Sequence, residues 1–265
     1  MVICIIIPGN NYLNAIFMRL HRFIGNFSAF GGSASGGNFA LKHFKILDEE
    51  ILNQIKNVLR LGKGDCLVLA DGKLNEAIVK IAGMDKKFIE VEVMEKSVNK
   101  NEPEIYGALY CSILKRENFE WVCQKATECG IKEIVPVISA RTVKLGFKKE
   151  RLEKIIREAV EQLGRGVLPV LGDALNFKEA FEKARKNDLN LFFEINSPMI
   201  NKEEMGKAGK IGIFIGPEGG WSEEELELVK SEIEKGDKFR MAGLGKLILR
   251  AETAAVVASW FVAQG

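Results

Sequence analysis

Residues 211–225 read Ile211-Gly212-Ile213-Phe214-Ile215-Gly216-Pro217-Glu218-Gly219-Gly220-Trp221-Ser222-Glu223-Glu224-Glu225, and this stretch decides the fold. The apolar run at its start is short and is followed by glycine and proline, which is typical of a buried strand. Ser222 and Glu225 have capping-box spacing, so a helix should begin there. Residues 216–221 therefore form a tight glycine-rich loop between a strand end and a helix start, where open α/β sheets bind ligands.

The charges of this loop narrow the class of ligand. Glu218 lies in the loop, and residues 223–225 add three carboxylates in the first helical turn. A helix N-terminus attracts anions, but these carboxylates already occupy that field and would repel a phosphate. The dinucleotide fingerprint and the Walker lysine are both missing, which counts against a nicotinamide-dependent dehydrogenase. The loop fits a neutral or cationic ligand such as S-adenosylmethionine, although an ordinary strand-to-helix turn explains the same residues.

A second motif lies downstream, at residues 244–255, and reads Leu-Gly-Lys-Leu-Ile-Leu-Arg-Ala-Glu-Thr-Ala-Ala. Arg250 precedes an apolar helix predicted from about residue 251 to residue 262. A cation at that end opposes the helix dipole, which is unfavourable by about 0.3–1 kcal/mol. Two explanations remain open. Arg250 forms a structural ion pair with Glu252 or Glu218, or it meets an anion or a developing negative charge on the substrate.

The order of elements along the chain indicates two regions. Residues 18–98 contain short strand-like runs separated by turns, which predict a small barrel, and residues 48–59 have helical periodicity. From residue 105 strands alternate with helices, which predicts a mostly parallel sheet. The predicted helices include residues 116–129, stopped by Gly130, and residues 177–186, opened by Asn176 with Glu179 at the capping-box position. A buried strand is predicted at residues 189–195. Residues 1–17 form an odd extension that is most simply explained by a start codon placed too early. It is too short to span a membrane.

Charge and cysteine usage set broad limits on function. The 265-residue chain carries a net charge of only +2, but residues 141–149 hold four cations and no acid. This modest basic surface either contacts phosphates or is simply solvated. The five cysteines form no C-x-x-C pair and no metal-ligand set, so we expect no metal. Free thiols are typical of a reducing cytosol, and we expect a cytoplasmic protein.

The two motifs in this order closely resemble the ribosomal RNA small subunit methyltransferase E family, which belongs to the SPOUT superfamily of knotted methyltransferases. The similarity covers about residues 18–265. It continues upstream in four further segments, at residues 19–23, 58–60, 124–130 and 161–165. One departure is visible at Asn53-Gln54, where family members often carry two histidines.

The resemblance implies an architecture. We expect an α/β fold in which a C-terminal SPOUT-type knotted parallel sheet carries helices on both faces, joined to an N-terminal PUA-like β-barrel domain. The extension would occupy residues 1–17, the RNA-binding domain residues 18–98 and the methyltransferase domain residues 103–265. A trefoil knot would hold the cofactor, and a homodimer would complete the site.

The resemblance also implies an activity, the S-adenosylmethionine-dependent methylation of N3 of one uridine in 16S ribosomal RNA. The partner would be small-subunit ribosomal RNA or the assembled small subunit. Two alternatives stay open: a SPOUT methyltransferase with a different RNA target, and a non-catalytic RNA-binding protein of the same architecture.

Site residues follow from the matching motifs. The catalytic candidates are Arg250 and Glu252. The expected cofactor-binding residues are Gly216, Pro217, Glu218, Gly219, Leu244, Gly245, Leu249 and Thr253. The expected RNA-binding residues are Arg19, Arg22, Arg60, Arg141, Lys144 and Arg165.

Overall fold

The computed structural model of this protein describes residues 20–27, 42–143, 148–236 and 238–265. The chain divides into two compact units. The first unit comprises the described residues up to Lys100 together with Gly164–Gly166, and the second comprises Asn101–Leu163 and Val167–Gly265. The predicted extension at residues 1–17 lies outside the described residues.

The first unit is rich in strands, as predicted. Its elements are β1 (Arg22–Ile24), β2 (His43–Ile46), α1 (Glu49–Asn53, continued by a π-helical turn at Gln54–Val58), β3 (Cys66–Ala70), β4 (Asn75–Met84) and β5 (Ile89–Val98). They form a five-stranded sheet in the order β1-β3-β4-β5-β2. Only the β1–β3 pair is parallel among these pairings. Two register shifts in the β4–β5 pair add bends to the sheet, as bulges do.

The helix predicted at residues 48–59 is only partly regular. Asp48 caps its start by accepting a hydrogen bond from the Ile51 N–H at 3.0 Å. After Asn53 the helix widens into the π-helical turn, and the chain leaves it through Arg60, whose φ of 55° is left-handed. Periodicity identified the buried face, with Ile51 and Ile55 inside, but could not show the change of helix type.

A short segment distant in sequence completes the first unit. The Asn99 side-chain amide donates to the Gly164 carbonyl at 2.9 Å and to the Glu76 carboxylate at 3.1 Å. A Cβ at Gly166 would lie 2.6 Å from the Asn99 Cβ, so the segment fits closely only with glycine there. Arg22 pairs with Glu76 at 2.5 Å, and both side chains are buried. The family-like segment at residues 161–165 thus includes Gly164, which has a structural role because its carbonyl accepts a hydrogen bond from the Asn99 side chain.

The second unit alternates strands and helices. Its elements are β6 (Tyr106–Ser112), α2 (Arg116–Cys129), β7 (Glu133–Ile138), α3 (Lys149–Leu163), β8 (Val170–Leu171), β9 (Leu175–Asn176), α4 (Phe177–Ala184), β10 (Leu189–Phe193), α5 (Lys202–Met205), β11 (Lys210–Ile215), α6 (Glu223–Glu234), β12 (Phe239–Ala242) and α7 (Ala251–Ala263). The sheet has the order β12-β10-β11-β6-β7-β8, with β9 also on β7. Each of these pairings is parallel.

Helices cover both faces of this sheet, as predicted. Leu109 and Cys111 of β6 pack with α2, α3 and α7 on one face. Ala108 and Tyr110 of the same strand pack with α4 and α6 on the other. Successive residues point to opposite faces of a strand, so a strand buried on both faces must be apolar throughout. This explains why the strands are continuous hydrophobic runs in the sequence.

The helix termini follow local rules. Gly130 ends α2 in the left-handed conformation, with φ of 102°. Both predicted capping boxes, Asn176 with Glu179 and Ser222 with Glu225, are present. The strand order, by contrast, is non-local. It places β10 between β12 and β11, so the carboxyl ends of these three strands lie side by side.

Candidate functional site

A cavity of about 1000 Å³ opens where these strands end. Three loops line most of it: the first loop (residues 194–199) after β10, the glycine-rich loop (residues 216–221) after β11, and the third loop (residues 243–250) after β12. The ends of the three strands, the first turn of α7, and Lys115 and Asn118 at the start of α2 complete the lining. This position matches the general ligand site of parallel α/β sheets.

The glycine-rich loop is held against β10 by an aromatic side chain. Trp221 is buried, and its indole N–H donates to the Phe193 carbonyl at 3.1 Å. A Cβ at Gly216 would lie only 3.0 Å from the Trp221 ring, so a glycine is required there for this packing. Gly220, with φ of 67°, closes the turn through a 2.9 Å hydrogen bond from its N–H to the Pro217 carbonyl.

Gly219 is tied to the end of another strand. The Arg141 guanidinium, beyond β7, donates to the Gly219 carbonyl at 2.8 Å. A Cβ at Gly219 would lie 3.6 Å from the Arg141 side chain, which is ordinary contact. The neighbouring Ala140 N–H donates to the Glu225 carboxylate at 2.9 Å, which joins this segment to the start of α6. Arg141, predicted to bind RNA, therefore also supports the glycine-rich loop.

The first and third loops meet backbone to backbone. The Gly243 N–H donates to the Pro198 carbonyl at 2.7 Å, and the Gly243 carbonyl accepts from the Ile200 N–H at 3.2 Å. A Cβ at Gly243 would come within 2.3 Å of the Ser197 carbonyl oxygen. Gly245 then turns the chain with φ of 112°. The two loops form a single wall whose spacing depends on glycine.

Arg250 occupies the N-cap position of α7, and its side chain is exposed. Within the described parts of the chain it forms no ion pair with Glu252 or Glu218, so the structural explanation for this arginine finds no support. The Glu252 Oε2 atom is buried and lacks a hydrogen-bond partner among the described residues. Both Arg250 and Glu252 line the cavity. A buried acceptor without a partner is unfavourable unless a ligand supplies a donor.

The acids of the cavity lie on two sides. Burial raises the pKa of the Cys111 thiol well above its ordinary value, and Glu218 and Glu252 raise it further. Glu218 lines the cavity from the glycine-rich loop, and Glu252 lines it from the first turn of α7. Glu194, at the end of β10, is half-buried, and desolvation raises its pKa while the Ile195 N–H, Arg141 and Lys230 oppose that shift.

Glu194 was missed because the strand predicted at residues 189–195 included it. The strand ends instead at Phe193. An acid immediately after a buried parallel strand is a signal of a ligand-facing position, and a correct strand boundary would have revealed it.

Most of the predicted cofactor-binding residues come together. The residues that line the cavity are Gly216, Pro217, Glu218, Leu244, Gly245 and Leu249. Gly219 and Thr253 are each next to lining residues in the sequence, but neither is among the described residues that line the cavity.

The predicted RNA-binding residues are dispersed. Arg19 and Lys144 lie outside the described residues. Arg60 and Arg141 are exposed, which leaves them available to a phosphate. Arg165 is buried, and the Arg22 side chain is only 8% exposed and already paired with Glu76, so little of either side chain is left for an RNA phosphate.

Two kinds of feature are absent from the described residues. No described helix has the length and apolar character needed to cross a membrane. Histidine, cysteine, aspartate and glutamate nowhere gather in threes or more at a metal-binding geometry within the described ranges.

Comparison with known proteins defines the class. Residues 101–263 match the RNA methyltransferase domain family, and residues 47–94 match the RNA methyltransferase PUA domain. The parallel sheet with its cavity at the strand ends, together with the strand-rich first unit, is thus that of an RNA methyltransferase carrying a PUA domain.

More particularly, the chain belongs to the ribosomal RNA small subunit methyltransferase E family. The family member from Synechocystis sp. is 32% identical over 214 residues, which cover 78% of this chain and 68% of the relative. The member from Mesomycoplasma hyopneumoniae is 32% identical over 221 residues, covering 81% and 92%. The crystal structure of the Neisseria gonorrhoeae member bound to S-adenosyl methionine has a TM-score of 0.75 and 28% identity, covering 91% of this chain and 95% of that one. The predicted family and the predicted SPOUT-type fold with a PUA domain are confirmed.

Proposed function

We propose that this protein transfers a methyl group from S-adenosylmethionine to N3 of one uridine in 16S ribosomal RNA. The observation that carries the proposal is that both family motifs line one cavity, with Arg250 and Glu252 at the same wall. The Neisseria gonorrhoeae relative, which holds S-adenosyl methionine, supports the choice of cofactor.

The residues of the cavity fit this cofactor. Its volume, about 1000 Å³, lies at the upper end of the range of small-molecule sites. Three carboxylates (Glu194, Glu218 and Glu252) and three cations (Lys115, Lys246 and Arg250) line it, so it has partners for both the cationic groups and the carboxylate of this cofactor. The backbone of the glycine-rich and third loops would hold the adenosine, since glycine lets a ligand approach closely. Gly219 and Thr253 would support these loops from behind.

Bound S-adenosylmethionine supplies an electrophilic methyl group on a sulfonium. The difficulty lies with the uracil, because N3 belongs to an imide that keeps its proton at neutral pH. Glu252 presents a buried, unpartnered Oε2 atom that can accept the N3–H proton. Arg250 presents an exposed guanidinium that can stabilise negative charge on a uracil carbonyl oxygen. The walls of the cavity would align N3 with the methyl group, which itself supplies much of the acceleration.

Two features of this chain would bring RNA to the site. The first unit contains the PUA domain match, and Arg60 lies there, exposed, directly after the π-helical turn. Arg141 is exposed beside the glycine-rich loop. We assign both arginines to phosphate contacts, which position an RNA without reading its sequence.

The decisive experiment is mass mapping of ribosomal RNA from a strain that lacks this protein. We expect one uridine of 16S ribosomal RNA to lose a single methyl group at N3, and the wild-type gene to restore it. A methyl group lost from another RNA would instead assign a different target. Intact methylation together with no S-adenosylmethionine binding by the purified protein would favour a non-catalytic RNA-binding role.

We further propose that the second unit is knotted, that it forms a homodimer and that the protein works in the cytoplasm. The dimer has a local basis. α7 buries one side against α2, yet Val257 and Trp260 on its other side are 41% and 56% exposed, and Trp121 of α2 is 41% exposed. Large aromatic and aliphatic side chains exposed on helix surfaces are typical of subunit interfaces.

Trp260 provides the test of the dimer. We expect wild-type protein to sediment as a dimer at micromolar concentration and Trp260→Glu to sediment as a monomer, because the substitution places a charge in the contact. Trp121→Ala should weaken the dimer less. A wild-type monomer, or a Trp260→Glu variant that remains dimeric, would contradict this assignment.

A further inference from the structure

Glu194 belongs to neither sequence motif, yet it lines the cavity from a rigid position. Its N–H donates to the Ala242 carbonyl at 3.0 Å, and its carbonyl accepts from the Ser197 N–H at 3.3 Å. Asn196, in the left-handed region with φ of 67°, completes the turn. The side chain is therefore presented by a strand end fixed to its neighbour, which is the kind of support that a binding group needs.

The carboxylate of Glu194 keeps capacity to accept hydrogen bonds. It is half-buried, and within the described ranges no cation approaches it closely enough to form an ion pair. The Ile195 N–H donates the one hydrogen bond that lowers the pKa of Glu194. Arg141 and Lys230 lower that pKa only through their charge. An ionised carboxylate has about four acceptor sites. Most of them remain for a ligand.

The other two carboxylates of the cavity come from different elements. Glu218 belongs to the glycine-rich loop after β11, and Glu252 belongs to the first turn of α7. Glu194 is the acid that the end of β10 contributes. The cavity thus offers two carboxylates from the glycine-rich loop and α7, and a single carboxylate from the end of β10.

This asymmetry orients an S-adenosyl ligand. The ammonium and sulfonium cations suit the paired carboxylates, where two negative charges act together. The ribose carries no charge but has two vicinal hydroxyl donors, which suit the two oxygens of one carboxylate. A carboxylate at a strand end binds ribose hydroxyls in the same way in dinucleotide-binding folds.

We propose that Glu194 accepts hydrogen bonds from the ribose 2′- and 3′-hydroxyls of the cofactor and so selects an intact ribonucleoside. The inference rests on the proposed use of S-adenosylmethionine. It assigns Glu194 to binding and specificity, while Arg250 and Glu252 serve the methyl transfer.

The test measures the affinity for S-adenosylhomocysteine and for its 2′-deoxy and 3′-deoxy analogues by calorimetry, using the full chain. Wild-type protein should bind each deoxy analogue about 10-fold or more weakly than the parent, the range expected for a charge-assisted hydrogen bond. Glu194→Ala should bind the parent weakly and lose the discrimination, with all three ligands within about 2-fold of one another. Glu194→Gln, which keeps one oxygen acceptor, should lie between them.

A matched variant separates this role from a general effect of charge. Glu218→Gln, on the other acidic side, should weaken binding but retain the wild-type discrimination against the deoxy analogues. Melting curves should show that each variant is folded. If Glu194→Ala is not folded, the comparison of Glu194→Gln with the wild-type protein provides the test. Undiminished discrimination in both Glu194 variants would overturn the inference while leaving the proposed function intact. Failure of wild-type protein to bind any of the ligands would overturn both.

Discussion

Arg250→Ala is expected to lower methyl transfer by about 10²–10³-fold, the range seen when one oxyanion-stabilising donor is removed. The side chain is exposed at the N-cap of α7, lines the cavity and has no ion-pair partner among the described residues. Its removal should therefore leave the melting temperature and the cofactor affinity almost unchanged. Single-turnover rates with excess enzyme would isolate the chemical step from RNA binding.

Two variants sharpen this prediction. Arg250→Lys should restore only part of the rate, because an ammonium lacks the planar two-pronged donor of a guanidinium. Arg157→Ala removes an exposed arginine from α3 and should leave the rate unchanged. If Arg250→Ala instead melts at a much lower temperature while methyl transfer per folded molecule persists, Arg250 is structural. If Arg250 and Glu252 form a structural pair, the double variant should lose less stability than the sum of the losses in the two single variants.

Local chemistry explains how much of the fold could be predicted from sequence. The bounds of α2 were predicted correctly because Gly130 stops it, and the starts of α4 and α6 were predicted correctly because Asn176 and Ser222 cap them. β12 was not predicted, since four residues of mixed polarity give no distinct pattern. The strand order was also beyond reach, because it depends on pairings between residues far apart in sequence.

In the candidate site, too, the features with a local sequence signal were predicted and those that depend on distant residues were not. The glycine-rich and third loops were found because glycine, proline and capping residues mark them locally. The partner of Arg22 could not be predicted, because no local pattern shows that Glu76, 54 residues away, pairs with it. The contact of Gly243 with Ser197 is equally non-local, since it exists only because β10 and β12 are neighbours. Physical reasoning from one sequence thus identifies turns better than the partners those turns meet.

Gly243→Ala should have the second largest effect. Its Cβ would lie 2.3 Å from the Ser197 carbonyl oxygen, 3.1 Å from the Ser197 carbonyl carbon and 3.2 Å from the Pro198 carbonyl oxygen. All three atoms belong to backbone, so no side chain can rotate away, and the first and third loops must separate. We expect a loss of about 1–3 kcal/mol in the free energy of unfolding, as for overpacked sites. Displaced cavity walls should also reduce cofactor affinity and methyl transfer, by up to about 10²-fold.

The control is Gly209→Ala, just before β11, where a new Cβ would meet only the Asp188 carboxylate, at 3.6 Å. That distance is ordinary contact, so stability and cofactor affinity should stay near the wild-type values. Chemical denaturation and calorimetry on the two variants would measure both quantities. Because the Gly243 N–H also donates to Pro198 at 2.7 Å, opening the loops breaks this hydrogen bond as well. Wild-type stability and affinity in Gly243→Ala would show that the wall of the cavity yields, and that its spacing does not determine binding.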